Sequence, residues 1–319
     1  MFACSPLNFS PVQRAPLSSA FKSLKSLPLQ TRAQKRRASP ICCSAESSEG
    51  DRLCRAVAEQ VVDAYVRDGH VVGLGTGVMT NHAIQYLGQR LEEKSLQRVR
   101  AVPASDVSAS EAAFHGVPQT DLHAHPELDV MLMDVDEIDG TDPHLACIVG
   151  RQAEPQQPQL VRLRHCAAAA KQLVGLVESK QQVVPRLQGY LPVVIQGQDW
   201  EEPAEEIDDC FIGDAEIWRR PRSGTANPRG GDMPYISPEG HNLLDVRFAG
   251  RMTLDGREVP YSQLAAALED IPGVVTHGLL AQGLTAAVIA APEGPVTLEP
   301  GVQLANEMSS SGQQQQLEQ

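Results

Sequence analysis

A glycine-rich stretch, Val71-Val72-Gly73-Leu74-Gly75-Thr76-Gly77, constrains the fold of this chain more than any other segment. Its β-branched start predicts a short buried strand, and its glycines allow a tight turn that a ligand can approach closely. Apolar residues then recur on one helical face, at Ala83, Ile84, Leu87 and Leu91. Together they would direct free backbone N–H groups at one point, as in a phosphate-binding loop. The spacing equally fits a structural turn of a doubly wound sheet, so both interpretations stay open.

Strands and helices alternate around this loop. Apolar stripes predict helices over 51–67 and 105–114, and short hydrophobic runs predict strands at 99–102 and 128–133. Such alternation is typical of a parallel sheet with helices on both faces. In these sheets ligands bind at the carboxyl ends of the strands. The glycine loop and the acidic run Asp134-Val135-Asp136-Glu137-Ile138-Asp139 would both lie there.

A second, smaller unit interrupts this pattern between residues 191 and 283. Two helices interleave with short strands in the manner of an antiparallel α+β unit, with strands expected at 191–195, 215–219, 243–248 and 274–280. A last strand at 286–290 would return to the first sheet. The predicted fold is therefore α/β, with a mostly parallel sheet domain over 46–190 and 284–300. The Ser- and Gln-rich end, 301–319, is expected to be a disordered tail.

The first 45 residues differ from the rest in composition. They hold seven Lys or Arg and eight Ser but no Asp or Glu, and no apolar run is long enough for a secretory signal or a membrane span. This composition predicts a transit peptide over residues 1–45, and its Ser- and Pro-rich character favours the chloroplast stroma over the mitochondrion. A basic tail that is kept in the final protein is the other interpretation.

Charge and cysteine content disfavour several classes of protein. The chain carries a net charge of −13, so loss of seven positive charges with the leader would leave −20. So acidic a protein is expected to bind neither nucleic acid nor an anionic membrane, although a local pocket still accommodates a small anion. Cys54, Cys147, Cys166 and Cys210 lack metal-ligand spacing, so neither a zinc site nor a disulfide framework is predicted.

Six segments, in order, give the chain a resemblance to ribose-5-phosphate isomerase of the A type over roughly residues 50–300. Val72–Gly77 is similar to the phosphate loop of that family. Asp136-Glu137-Ile138-Asp139 is similar to the second half of its signature Asp-Gly-Ala-Asp-Glu-hydrophobe-Asp. The later matching segments are Glu178-Ser179-Lys180, Leu191-Pro192-Val193, Asn242–Phe248 and Ile271–Leu279.

The resemblance implies a fold, a reaction and a set of binding residues. The fold is a doubly wound, Rossmann-like sugar-phosphate isomerase domain with an inserted ferredoxin-like α+β subdomain, here 191–283, in proteins that are usually dimers or tetramers. The reaction interconverts ribose 5-phosphate and ribulose 5-phosphate through an enediolate, in the pentose phosphate pathway and the Calvin cycle, without metal or organic cofactor. Residues expected to bind the sugar phosphate are Gly75, Thr76, Gly77, Thr80 and Lys180.

The chain departs from the family at its catalytic positions. Asp136 matches one catalytic aspartate, but the other aspartate position holds Met133. Asp134 is a candidate substitute one residue later, although a regular strand would turn its side chain to the opposite face. The family's catalytic lysine is replaced by Val149, and its general-base glutamate by Leu163. Neither replacement can take up or donate a proton.

Three hypotheses follow from this resemblance. The first is a plastid isomerase-family protein that is catalytically impaired or binds sugar phosphate without turnover, as a homo-oligomer or together with an active paralogue. The second is an active ribose-5-phosphate isomerase with relocated catalytic residues. The third is a sugar-phosphate sensor, since related folds serve as effector-binding domains.

Overall fold

The computed structural model describes residues 49–152, 159–222 and 233–301. The predicted transit peptide and residues 302–319 of the predicted tail lie outside the described residues. In chain order the elements are α1 (Glu49–Tyr65), β1 (Val71–Leu74), α2 (Val78–Glu92), β2 (Arg100–Pro103), α3 (Asp106–Phe114), β3 (Val130–Asp134), β4 (Glu137–Asp139), β5 (Cys147–Ile148), α4 (Leu160–Ala169), β6 (Leu173–Val177), β7 (Val183–Val184), β8 (Gln188–Ile195), α5 (Glu201–Cys210), β9 (Ala215–Arg219), β10 (Asn242–Arg251), α6 (Tyr261–Glu269), β11 (Val274–His277), β12 (Leu279–Leu280), β13 (Ala286–Ile289) and β14 (Val296–Leu298).

The first sheet has six strands in the order β14-β13-β6-β3-β1-β2. All neighbours pair in parallel except β14, which is antiparallel to β13 at the edge. Its central strands are buried on both faces, which explains why their sequences are continuous hydrophobic runs. The predicted α/β class with a mostly parallel sheet is confirmed.

Alternate residues of β3 show how the two faces of this sheet differ. Val130 and Leu132 belong to a buried cluster with α1 and α2, whereas Met131 and Met133 belong to a cluster with α4 on the other face. Because side chains alternate along a strand, Asp134 at the end of β3 lies on the α2 face. This alternation decides what each residue of the acidic run can reach.

A second sheet, in the order β11-β8-β10-β9, is antiparallel throughout. One of its faces packs on α5 and α6 through Leu191, Val193, Ile207 and Leu264. The other face carries Tyr190, Arg220 and Asp245 and contacts the loop after β5, since Arg220 donates a hydrogen bond to the carbonyl of Gly150. The boundaries predicted for the inserted unit, 191–283, stay a prediction.

A third, small sheet, β12-β5-β4-β7, was not predicted from the sequence. Its strands have only two or three residues each, too few to show a period of two. It divides the strand expected at 274–280, because Val274–His277 pairs with β8 whereas Leu279–Leu280 pairs with β5. The small sheet thereby fixes Glu137–Asp139 next to Cys147–Ile148.

Candidate active site

The glycine loop connects β1 to the start of α2 with almost no free space. A Cβ on Gly75 would lie 2.7 Å from the Cβ of Met133, so only glycine fits this approach of β1 to β3. Gly77 has φ 147° and ψ 176°, a conformation that is essentially restricted to glycine. A Cβ on Gly77 would lie 2.0 Å from Oδ2 of Asp134. The loop therefore closes directly over the Asp134 side chain.

Asp134 lies at the N-terminus of α2, where free backbone N–H groups attract anions. Its Oδ1 accepts hydrogen bonds from the N–H and the Oγ1 of Thr80, at 2.7 and 2.6 Å. Its Oδ2 accepts a hydrogen bond from the N–H of Met79, at 3.0 Å. Burial nevertheless raises the pKa of this carboxyl to about 7, against these hydrogen bonds, which lower it.

The hydroxyl groups predicted to bind substrate make contacts within the protein. Thr80 is fully buried and donates its hydroxyl to Asp134. Thr76 is also buried, and its Oγ1 donates to Oγ of Ser105, the N-cap of α3. The loop residues are therefore brought together as predicted, while their role in binding substrate stays a prediction.

Asp136 lies two residues after the end of β3, and a backbone N–H group holds its side chain in place. Its Oδ2 accepts a hydrogen bond from the N–H of Arg151, at 2.8 Å. Burial raises the pKa of Asp136 to about 6, while that hydrogen bond and the charges of Arg151 and Arg220 lower it. A carboxyl with such a pKa is half-ionised near pH 6, within the range useful to a general base.

Two ion pairs beside Asp136, one half-buried and one buried, were not predicted from the sequence. Nη1 of Arg151 pairs with Oε2 of Glu137 at 2.7 Å. Arg220 pairs with Asp245, and these two residues are both buried. The guanidinium groups of both arginines lie within 6 Å of the centre of the Tyr190 ring. Each of these two arginines is therefore already paired with a carboxylate other than Asp136.

Lys180 lies at the protein surface in a short 3₁₀ turn, Lys180–Gln182. The side-chain amide of Gln182 donates to the carbonyl groups of Val135 and Asp136, at 3.0 and 3.2 Å, so this turn is fastened to the acidic run. The ammonium group of Lys180 pairs with Glu293, and both side chains are more than half exposed. Its predicted contact with a substrate stays a prediction.

Three aliphatic side chains are part of the buried hydrophobic cluster that includes α4. Met133, Val149 and Leu163 are 0%, 1% and 2% exposed, and all three belong to one buried hydrophobic cluster. The neighbours of Leu163 in its Arg-Leu-Arg triplet point elsewhere: Arg162 pairs with Asp106, and Arg164 donates to the carbonyl of Leu279. Hydrocarbon side chains therefore occupy all three positions. Neither arginine of the triplet places its charged group beside Leu163.

Two kinds of feature are missing from the part of the chain that the structure describes. Across residues 49–152, 159–222 and 233–301, no three His, Cys, Asp or Glu side chains are grouped as metal ligands would be. In the same three ranges, no helix has the length and apolar composition needed to span a membrane.

Comparison with known proteins identifies the family. The family model for ribose 5-phosphate isomerase A (phosphoriboisomerase A) matches residues 100–294, more than half of the chain. The chain belongs to the ribose-5-phosphate isomerase A family. The resemblance inferred from the six sequence segments is thereby confirmed.

Individual members of the isomerase family match over nearly their whole length. The ribose-5-phosphate isomerase A of Roseiflexus castenholzii is 35% identical over 245 residues, which covers 77% of this chain and 94% of the relative. That of Thermococcus kodakarensis is 31% identical over 251 residues, covering 78% and 98%. The chain therefore spans a complete family domain.

Solved isomerase structures share this fold. A D-ribose-5-phosphate isomerase in complex with phospho-erythronic acid matches with a TM-score of 0.65 at 25% identity, covering 78% of this chain and 98% of that one. The ribose 5-phosphate isomerase of Plasmodium falciparum gives a TM-score of 0.67 at 23% identity, covering 79% and 100%.

Proposed function

We propose that this protein is a ribose-5-phosphate isomerase family member without efficient catalysis. The observation that carries the proposal is the single hydrophobic cluster that contains Met133, Val149 and Leu163. These are the three positions at which the resemblance implies an aspartate, a lysine and a general-base glutamate. A buried methionine, valine and leucine can neither move a proton between two carbons nor stabilise the charge of an enediolate.

The expected loss of rate is large. A positioned general base contributes about 10²–10⁴ in rate, equivalent to about 3–5 kcal/mol of barrier. A cation beside the developing oxyanion contributes a term of comparable size. Arg151 and Arg220 do not offer a ready replacement, because they are paired with Glu137 and Asp245. Separating either pair would leave a buried carboxylate without its ion-pair partner.

One observation favours the second hypothesis, an active isomerase with relocated residues. Asp136 is half-buried, its pKa is raised to about 6 by desolvation, and Arg151 and Arg220 contribute positive potential to it. A carboxyl group in that state is suited to general-base work. Under this alternative Asp136 itself would abstract the proton, which makes it the residue to substitute.

A coupled assay for ribulose 5-phosphate formation by the purified full chain, and by residues 46–319, separates the two hypotheses. The proposal predicts turnover at least about 10³-fold below the typical enzymatic value of about 10 per second. Turnover near that value, lost in Asp136→Asn, would establish the alternative instead. Asp129→Asn is the matched control, since this aspartate also accepts a backbone hydrogen bond but at the start of β3.

We propose chloroplast stroma as the location and an isomerase-family subunit as the partner. The basic, acid-free composition of residues 1–45 supports import. A fluorescent protein fused to residues 1–45 should enter chloroplasts, and the same fusion with its seven basic residues replaced by glutamine should not. Size-exclusion chromatography with light scattering, with and without an active paralogue, distinguishes a homo-oligomer from a mixed assembly.

A sugar phosphate is the ligand class proposed for the site. A family member of known structure is in complex with phospho-erythronic acid, and this chain has the same fold. The glycine loop and the start of α2 have the backbone arrangement of an anion-binding turn.

A further inference from the structure

We propose that Gln182 is a positioning residue of the sugar-phosphate site, because its side chain ties the turn that carries Lys180 to the segment that carries Asp136. This inference rests on the proposed function in so far as the ligand is a sugar phosphate that Lys180 contacts. It goes further by assigning a task to a residue that acts on the ligand only through Lys180.

The places of the two segments in the first sheet are the first basis for the proposal. β3 and β6 are parallel neighbours, and Asp134 at the end of β3 is paired with Leu176. The N–H of Val135 donates to the carbonyl of Leu176 at 2.9 Å, so the pairing continues past the end of β3. Asp136 and Lys180 therefore follow two adjacent strands, at the carboxyl edge where sheets of this kind bind ligands.

The hydrogen bonds of the Gln182 amide are the second basis. Its Nε2 donates to the carbonyl groups of Val135 and Asp136, at 3.0 and 3.2 Å. Its Oε1 accepts a hydrogen bond from the N–H of Ser179 at 2.9 Å, and Ser179 directly precedes the turn Lys180–Gln182. One side chain therefore closes the turn around Lys180 and fastens the closed turn to the acidic run.

The weak attachment of the Lys180 side chain is the third basis. Its ammonium group pairs with Glu293, and the two side chains are 54% and 57% exposed. An ion pair this exposed contributes little, so an anionic ligand can take the place of Glu293. Because a lysine side chain is flexible, the protein fixes its reach mainly through the backbone from which it extends. Gln182 is the side chain that holds this backbone.

The test measures the binding of ribose 5-phosphate to the full chain by isothermal titration calorimetry. Gln182→Met keeps the length of the side chain without its amide, and it should weaken binding about threefold to tenfold, because the loosened turn must then be ordered on binding. Lys180→Met should weaken binding at least about tenfold, since it removes the charge itself. Gln181→Met is the matched control and should bind like the wild type. Gln181 lies in the same turn, is exposed, and makes no side-chain hydrogen bond to the residues that the structure describes.

The double variant K180M/Q182M shows whether Gln182 acts through Lys180. It should bind no more weakly than K180M, because without the lysine the amide has nothing to position, whereas a merely structural role would make the two losses additive. Gln182→Glu keeps the acceptor for Ser179 but not the donor for the acidic run, so it should bind as weakly as Q182M. Circular dichroism establishes that each variant is folded, and Q182E takes the place of Q182M if the latter is unfolded. Wild-type affinity in the folded variant, or additive losses in the double variant, would overturn the inference.

The isomerase assay separates this inference from the proposed function. If the wild type turns over ribose 5-phosphate, the proposed loss of catalysis fails, and the task of Gln182 is then measured as a KM that Q182M raises and Q181M does not. If the wild type is inactive and binds ribose 5-phosphate no more tightly than Q182M, only the task assigned to Gln182 fails. If the wild type does not bind ribose 5-phosphate, the proposed ligand class and the task of Gln182 fail together.

Discussion

Asp134 accepts hydrogen bonds from both the N–H and the hydroxyl of Thr80, at 2.7 and 2.6 Å. The protein therefore supplies an anion of its own to the helix start that follows its glycine loop. On the other face of the same strand, hydrocarbon fills the positions at which the family resemblance implies charged groups. Under the proposed function, the two features together describe a site that keeps its backbone shape but not its acid–base groups.

The first prediction concerns Gly77. Gly77→Ala places a Cβ 2.0 Å from the carboxylate of Asp134 and requires an unfavourable backbone conformation. Gly116→Ala is the matched control, because Gly116 also has a positive φ, 69°, but has no atom within 4 Å of the added Cβ. We expect G77A to lower the free energy of unfolding by about 3 kcal/mol and G116A by about 1–2 kcal/mol in urea titrations. Equal losses would contradict the close contact between Gly77 and Asp134.

The second prediction concerns pH. The pKa values of Asp134 and Asp136 are raised to about 7 and about 6, above the ordinary value of 3.8. Between about pH 4 and pH 7 the folded protein therefore holds more protons than the unfolded chain, so these carboxyl groups make it less stable as the pH rises. Each contributes a slope of at most about 1.4 kcal/mol per pH unit.

The measurement for this prediction is the difference between the unfolding free energies of Asp134→Asn and the wild type from pH 4.5 to 8. Subtracting the two unfolding free energies removes the contributions that the other titrating groups make equally to both proteins. It should shift in favour of D134N as the pH rises and level off about one pH unit above the raised pKa of about 7. A shift in the opposite direction would mean that the folded protein favours the ionised form of Asp134.

The third prediction concerns the buried pair of Arg220 and Asp245. Arg220 also donates to the carbonyl of Gly150 at 2.8 Å, so it links β9 to the loop that holds Asp136. Arg220→Met should cost about 3–5 kcal/mol, because it leaves the Asp245 carboxylate buried and unpaired. The double variant R220M/D245L should recover much of that loss. If the double variant is no more stable than R220M, the unpaired Asp245 carboxylate does not explain the stability lost in R220M.

Several features of this fold could be predicted from the sequence because they depend on local periodicity. The strand predicted at 215–219 forms with those bounds, and the helix predicted over 105–114 forms as Asp106–Phe114. The opposite directions of Met133 and Asp134 follow from the alternation of a strand. In each case the sequence pattern that predicts the element spans about ten residues or fewer.

Other features depend on contacts between segments that are distant in the chain. Asp134 and Thr80 are separated by 54 residues, and no local pattern shows that one would cap the helix of the other. Arg220 lies 25 residues before Asp245, at the end of a strand whose exposed and buried residues do not alternate clearly. The sequence therefore predicts the local elements of this site better than it predicts which distant groups contact one another there.

The fourth prediction concerns Leu163. Because this side chain is 2% exposed within the α4 cluster, Leu163→Ala should cost about 2–5 kcal/mol of unfolding free energy. Leu163→Glu, which restores the residue type implied by the resemblance, should cost at least as much, because the carboxylate would be buried without a partner. Leu53→Ala, on the partly buried edge of α1, is the control and should cost less. A stable L163E would indicate an open, polar cleft at this position.

The most direct measurement of the central claim is proton NMR of ribose 5-phosphate incubated with the purified chain in D₂O. Proton abstraction from C2 leads to deuterium uptake or to ribulose 5-phosphate, even when net turnover is slow. We predict neither change above the buffer background over many hours, in the wild type and in Asp136→Asn alike. Deuterium uptake or conversion by the wild type that is lost in D136N would contradict the claim that the acid–base groups of this site have been replaced by hydrocarbon.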